Sequence, residues 1–293
     1  MVMDSGLDYL NIVPKHIIED NVIKSIKTHT DNKTEKDIFI DWKTNSHLKN
    51  PIFMEFISID PSDDEQIIRF CNTYGLLGIS ETYAISSVLE HKMLHFLPEE
   101  IDNENLNDFK NEIQKMKDVL ELVDFITTIN LDSFAENSSR EECEMLYDRI
   151  VSLVNNLMKY LSKRDTVNEK IEKNTWVPEI EKSFFYLKEY ASEAVLMQIN
   201  RCVRNIFPQL NSDGHRNRTN FISTWKAPTL LAAMYHELYL KISQNKKIRK
   251  CRNSTCSRYF EIIGNDLRKI YCDSDCAKLE AKRKERARKK NAK

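Results

Sequence analysis

Four cysteines crowded into one short stretch constrain this chain more than any other feature. They fall as two close pairs, Cys251 with Cys256 and Cys272 with Cys276, and fifteen residues separate the pairs. Two such pairs at about 15 to 20 residues' separation let four thiolates close a tetrahedron round one Zn²⁺. Between them, Tyr259–Ile263, the turn formers Gly264, Asn265 and Asp266, and Arg268–Tyr271 predict a short hairpin. The second pair is expected in the first turn of a helix running to Lys290, since residues four apart share a helical face. Knuckle, hairpin and helix define a treble-clef or zinc-ribbon-like module. Two disulfides, or four free thiols, are the competing arrangements of the same residues.

The compartment decides between them. Met1–Gly6 has neither the basic start nor the apolar core of a signal peptide, and no apolar run is long enough to cross a bilayer. The expectation is a cytoplasmic chain with no membrane association. In that reducing setting paired cysteines bind metal more often than they oxidise.

Charge is distributed unevenly. The chain carries 44 Lys and Arg against 45 Asp and Glu. Residues 246–293 hold 17 of those bases and 6 of those acids, a net of +11, which leaves 27 bases and 39 acids elsewhere, a net of −12. An acidic body with a basic tail points to a polyanionic partner, and nucleic acid is the commonest. On the final helix Lys278, Lys282, Arg286 and Lys290 step by four along one face, with Arg283 beside them and Lys284 and Arg288 in a second row. Arg252, Arg258, Arg268 and Lys269 flank the knuckle. Basic side chains so spaced can follow phosphates, giving salt-dependent affinity with little base specificity. Tyr259, Phe260 and Tyr271 can stack on bases, although Phe260 is expected to cover the metal instead.

Upstream, only five Gly and seven Pro accompany 41% hydrophobic residues, a balance that favours helices. The predicted fold is mainly α, with a small β element near residues 38–59 from the runs Ile38–Asp41 and Phe53–Ile59. The apolar residues Ile12, Val13, Ile17, Ile18, Val22, Ile23 and Ile26 suggest a short helix after Pro14. Ser62 with Glu65 reads as a capping box, and Gly75 as the helix stop. Further helices are expected over Glu81–Leu97, Asn105–Ile129, Glu141–Leu161, Ile180–Phe207 and from Pro228 to Ser243. In the clearest, Phe109, Ile113, Met116, Leu120 and Val123 draw one stripe. Residues 163–174 and 209–219 are read as polar loops. Cys71, Cys143 and Cys202 sit on apolar helix patterns and are expected in the core. Two domains follow: a helical body, residues 1–245, suited to sensing or self-association, and the zinc module, residues 246–293.

Evidence for catalysis is thin. The chain has no Gly-rich phosphate loop, no G-x-S-x-G turn and no H-E-x-x-H. His91 and His95 lie four apart but lack a third ligand. A nuclease or toxin activity would be sought first in the polar stretch with Asp213, His215, Arg216 and Arg218. The expectation is a protein that is not an enzyme.

The C-terminal features, taken with Leu230–Leu240, resemble bacterial proteins of the CGNR-type zinc-finger group. The residues that carry the resemblance are Ile248–Cys251, Cys256–Phe260, Tyr271–Cys272, Cys276 and the Lys/Arg-rich helix. Fainter echoes are Ile67–Gly75 and the helix near Phe109–Leu122. The Gly-Asn-Arg that names the group is replaced here by Ala277-Lys278-Leu279, and the second pair has three intervening residues in place of four. The resemblance implies a helical or α+β N-terminal region, one structural zinc and a role in transcription regulation. The leading expectation is a zinc-finger protein that binds DNA or RNA through its tail, as monomer or homo-oligomer. The alternative is a protein–protein adaptor whose basic helix docks on an acidic protein surface.

Overall fold

Where apolar residues repeat every three or four positions, helices form as expected; where they alternate, tertiary contacts decide. The computed structural model describes residues 15–26, 39–40, 51–88, 103–128, 138–161, 180–204, 206–215, 218–262 and 268–291. Residues 15–26 make a hairpin, not the expected helix. Strands β1 (Lys15–Glu19) and β2 (Val22–Ile26) pair antiparallel. Asp20 and Asn21 between them take φ of 49° and 63°. A two-residue turn with both central residues in that region matches the strands' twist, and Asp and Asn tolerate it.

Strand β3 (Phe39–Ile40) lies within the first predicted β run. The second run is instead helix α1 (Ile52–Ser58), which buries Phe53, Met54, Phe56 and Ile57 and exposes Glu55. Burial at positions one, three and four apart suits a helix, and packing overrides the β preference of Phe and Ile. Helix α2 (Asp64–Tyr74) starts one residue later than the capping box implied. Asp63, not Ser62, is its N-cap, accepting from the Glu65 and Gln66 N–H groups at 3.0 and 3.1 Å. Gly75, at φ +95°, ends it as expected.

Helix α3 (Ile79–Val88) covers the start of the next predicted helix. Its remainder, with His91 and His95, lies outside the described residues, as do the predicted loop at 163–174 and Arg216. Strand β4 (Asn103–Asn105) joins β2 and completes a three-stranded sheet in the order β1-β2-β4. Helices α4 (Leu106–Thr128), α5 (Arg140–Leu161) and α6 (Ile180–Val203) fall where the sequence put them, though α6 stops short of Phe207. The described residues of the polar stretch at 209–219 are strand, not loop. Strands β5 (Phe207–His215) and β6 (Arg218–Lys226) pair along their whole length, with Asp213 opposite Asn220 and His215 opposite Arg218. Strand β3 pairs with β6 on its other side.

Helix α7 (Leu230–Ser243) is capped by the Thr229 hydroxyl, 3.1 Å from the Ala232 N–H. Every residue from Leu230 to Leu238 is buried, as its all-round apolar pattern predicted. Strands β7 (Ile248–Lys250) and β8 (Tyr259–Glu261) and helix α8 (Ser274–Asn291) complete the described chain. It is mainly helical, with three small antiparallel sheets among the described residues.

The chain divides into two compact units, residues 1–113 with 202–293, and residues 114–201. The first is centred on Phe56, Phe70 and Phe109, whose ring centroids lie 5.3 to 6.3 Å apart in tilted and edge-on contacts. Such pairs add about 0.5–1.5 kcal/mol each beyond the area they bury. Two buried carboxylates hold helix starts there. Glu237 accepts from the Phe53 N–H at 3.2 Å, and Glu104 accepts from Leu77 and Ile79 at 2.9 Å each. Burial pushes both acids up to about 7, against the lowering effect of those N–H groups. The described residues of the second unit are almost all helical, with Tyr147 edge-on to Phe184 and Arg149 paired with Glu121. Cys71 in the first unit and Cys143 in the second are buried, as is Cys202.

Candidate metal centre and its basic helix

The β7–β8 hairpin places the first cysteine pair. Lys250 pairs with Tyr259, so residues 251–258 form the connecting knuckle. The predicted partner of Tyr259–Ile263, Arg268–Tyr271, forms no strand, and Ile263 with the predicted turn Gly264–Asp266 lies outside the described residues. The Cys251 N–H donates to the Arg258 carbonyl and the Cys256 N–H to the Asn253 carbonyl, both at 2.9 Å. The second pair straddles the start of α8. Asp273 accepts from the Cys276 N–H at 2.7 Å, the geometry of an N-cap, which sets Cys276 in the first turn and leaves Cys272 just before it. A second strap, from the Arg252 N–H to the Ile270 carbonyl at 2.9 Å, draws the two halves together.

The result brings all four sulfurs within 4.8 Å of one another. Cys256 lies 3.8 Å from Cys272, and Cys272 lies 3.5 Å from Cys276. A tetrahedron with Zn–S bonds of about 2.3 Å has edges of about 3.8 Å, so the cluster suits one zinc ion. Disulfides need sulfurs at about 2.05 Å, and all seven cysteines are free thiols. Phe260 and Ile262 are buried against Cys251 and Cys276, with Tyr271 beside them. Phe260 thus covers the centre as expected.

Electrostatics around the thiols favour a cation. Burial raises the Cys256 thiol, but hydrogen bonds from Arg258 outweigh it and bring it down to about 7. Cys272 moves the other way, raised by burial and by hydrogen bonds to its neighbouring sulfurs. Four adjacent thiols cannot all ionise unaided; a divalent ion stabilises every thiolate at once. Four Cys ligands would leave zinc no open position for water or substrate, so the fitting role is structural.

Not all the predicted basic residues face outward. Arg258 bonds Asp273 at 2.7 Å and lies 3.8 Å from the Cys276 sulfur. The N–H of Cys276 first, then Arg258, holds the Asp273 carboxyl down to about 2. Arg283 turns back from α8 onto the knuckle. Its guanidinium reaches Asn253 Oδ1 at 3.0 Å, Ser254 Oγ at 2.6 Å and Thr255 Oγ1 at 3.0 Å, with Glu280 at 2.8 Å. Lys269 sets its amine 5.2 Å from the Phe260 ring centre. Arg252 and Arg268 are exposed. Along α8, Lys278, Lys282 and Arg286 are exposed one turn apart, with Lys284 and Arg288 exposed beside them; Lys278 also touches Asp275 at 3.4 Å. Lys290 lies on the same helix.

Sequence reasoning missed Asn253 and Asp273. Asn253 is 2% exposed, and its side-chain oxygen accepts from Thr255 as well as Arg283. Asp273, directly before a helical run, carries the signature of a cap. Asn253 had no signal apart from its place inside the knuckle.

The fold and the cluster define a class: a mainly helical protein with a C-terminal four-cysteine, zinc-ribbon-like module. No family model matches the chain, and neither a curated protein nor a solved structure is similar to it.

Proposed function

We propose that this is a zinc-dependent nucleic-acid-binding protein that acts in transcription regulation, as the CGNR-type resemblance implies. The observation that carries the proposal is the row Lys278, Lys282 and Arg286, exposed one turn apart on a helix whose first turn holds a metal ligand. The ion fixes where the rod points, and the rod supplies positive charge at phosphate-like spacing. Contacts of this kind set affinity and register on either DNA or RNA. Self-association through the helical body would place two such rods on one polyanion. No catalytic role is assigned.

The test is fluorescence anisotropy with zinc-loaded protein against duplex DNA, single strands and RNA at two salt concentrations. Binding should weaken steeply with salt. Replacing Lys278, Lys282 and Arg286 by Ala should lower the slope of log affinity on log salt by about 2 to 3. Absence of binding at low salt, with zinc bound, would defeat the proposal.

One observation favours a second reading. Leu279 is 54% exposed among those bases, and a large apolar residue amid Lys and Arg suits an acidic protein groove. In that case the tail acts as an adaptor, and α8 has no affinity for nucleic acid.

A further inference from the structure

A cleft of about 370 Å³ opens beside the metal centre, between α1, α2 and the knuckle. Its floor is apolar, formed by Met54 and Phe70, both buried. Its rim carries two exposed arginines from distant parts of the chain, Arg69 of α2 and Arg258 of the knuckle. Arg258 is already turned toward Asp273. Arg69 makes no ion pair among the described residues; its charge is felt by Asp63. Glu55 is the carboxylate on the rim, and the Tyr74 hydroxyl donates to it at 2.7 Å.

The cleft is therefore polarised. Ser58 accepts from the Tyr259 N–H at 3.4 Å, which ties the arginine-bearing knuckle to the C-terminal end of α1. Glu55 lies about one turn back along that helix, and Tyr74 lies more than a turn beyond Arg69 on α2. One end offers guanidinium groups, the other a carboxylate–phenol pair, and the floor between them suits a flat apolar body. Planar guanidinium groups match phosphate oxygens, and base faces favour stacking on aromatic side chains. The volume fits the range for small-molecule sites.

We propose that this cleft binds one phosphorylated nucleotide unit, with its phosphate at Arg69 and Arg258 and its base over Met54 and Phe70. The base's polar edge meets Glu55 and Tyr74. The unit is either a free mononucleotide or the 5′-phosphorylated end of a single strand. In both cases the occupant touches the helical body and the zinc knuckle together, so it links the two. The site is separate from the outward row on α8 and does not depend on that row binding a polyanion.

The test is titration calorimetry on the zinc-loaded full chain with 5′-AMP, adenosine and inorganic phosphate. A short single strand is then compared with and without a 5′-phosphate. Binding of 5′-AMP should exceed that of adenosine by about tenfold or more, the scale of a lost charged contact. Arg69→Ala should weaken 5′-AMP by a similar factor while zinc content and thermal midpoint stay unchanged. Tyr74→Phe should weaken 5′-AMP and adenosine by similar factors, because both carry the base. Tighter binding of the 5′-phosphorylated strand than of 5′-AMP identifies the occupant as a strand end, and the reverse identifies a free nucleotide. The proposal is overturned if 5′-AMP binds no better than inorganic phosphate, or if Arg69→Ala leaves its affinity unchanged. Duplex binding through α8 can fail in its own assay without touching either result.

Discussion

Removing the metal should release helix α8 while the body stays folded. The module's own apolar core is small: among the described residues, Phe260 and Ile262 are its buried apolar side chains other than cysteine. Burying two such groups is worth about 1.5–3 kcal/mol each. A structural zinc contributes about 10–16 kcal/mol near neutral pH in comparable small modules. The ion thus outweighs the two side chains by a factor of about two or more. Helix α8 has 18 residues and no apolar face, and its charged side chains leave it marginal once its anchor at Cys276 is gone. Chelation, or Cys276→Ser, should therefore cost roughly one seventh of the helical residues described. Far-UV circular dichroism reads that loss. Brief trypsin treatment should then cut after Lys278, Lys282 and Lys284, leaving a core fragment that ends near the start of α8. Zinc content of protein purified without added metal gives the stoichiometry, expected at one per chain. Unchanged helicity and continued protection of α8 after complete chelation would refute the reasoning, because the sulfurs would then be packing groups and not ligands.

Three further outcomes follow from single contacts. Glu104 and Glu237 are raised in the folded state to about 7 from an ordinary value of 4.5. The folded chain therefore binds protons that the unfolded chain has released, and stability falls as pH rises from about 4.5 to 7, by about 3 kcal/mol per carboxyl. Urea midpoints between pH 5 and 8 should show that decline flattened in Glu104→Gln and Glu237→Gln. The difference from the parent chain separates it from the opposite effect of His16 and His236, both lowered by burial. Arg283→Ala removes a charged donor to the buried Asn253 oxygen and the tie between α8 and the knuckle, and should weaken zinc retention about 10- to 100-fold, measured by competition with a chromogenic chelator. Phe56→Ala removes the ring shared by Phe70 and Phe109 and should cost about 3–5 kcal/mol in chemical denaturation.

Local repeats were legible in the sequence, and pairings between distant segments were not. The stripe Phe109, Ile113, Met116 and Leu120 is buried as read, with Val123 half-buried at its end, because a helix's face is fixed by spacing alone. Val22 and Ile23 misled because short apolar runs serve strand and helix alike; the turn at Asp20 and Asn21 decides, and its signal is two residues long. Phe53–Ile59 carried β-prone side chains, yet a Glu237 carboxylate 184 positions away receives the Phe53 N–H. No window of sequence holds that information. At the metal centre the ligands were legible from their spacing, whereas the strand partner of Tyr259–Glu261 was not. That partner is set by the knuckle of residues 251–258, which turns the chain back and brings β7 alongside β8.

The same distinction applies to charge. Along the sequence, spacing sets Lys282 and Arg286 in one row with Arg283 beside it and Arg258 at the knuckle, but it does not show what holds each of them. In three dimensions they divide by what holds them. Arg258 stabilises Asp273 and faces sulfur, and Arg283 ties α8 to the knuckle through Asn253, Ser254 and Thr255. Arg283 is not free to move onto a phosphate without loosening the metal site, and Arg258 meets one only from its present position, with Asp273 still bound. Lys282 and Arg286 have no such duty among the described contacts. Replacing the inward pair should therefore act through zinc retention, and replacing the outward row should act through salt-dependent affinity at unchanged zinc content. A polyanion that depended on Arg283 and not on Lys282 would contradict the orientation of the helix.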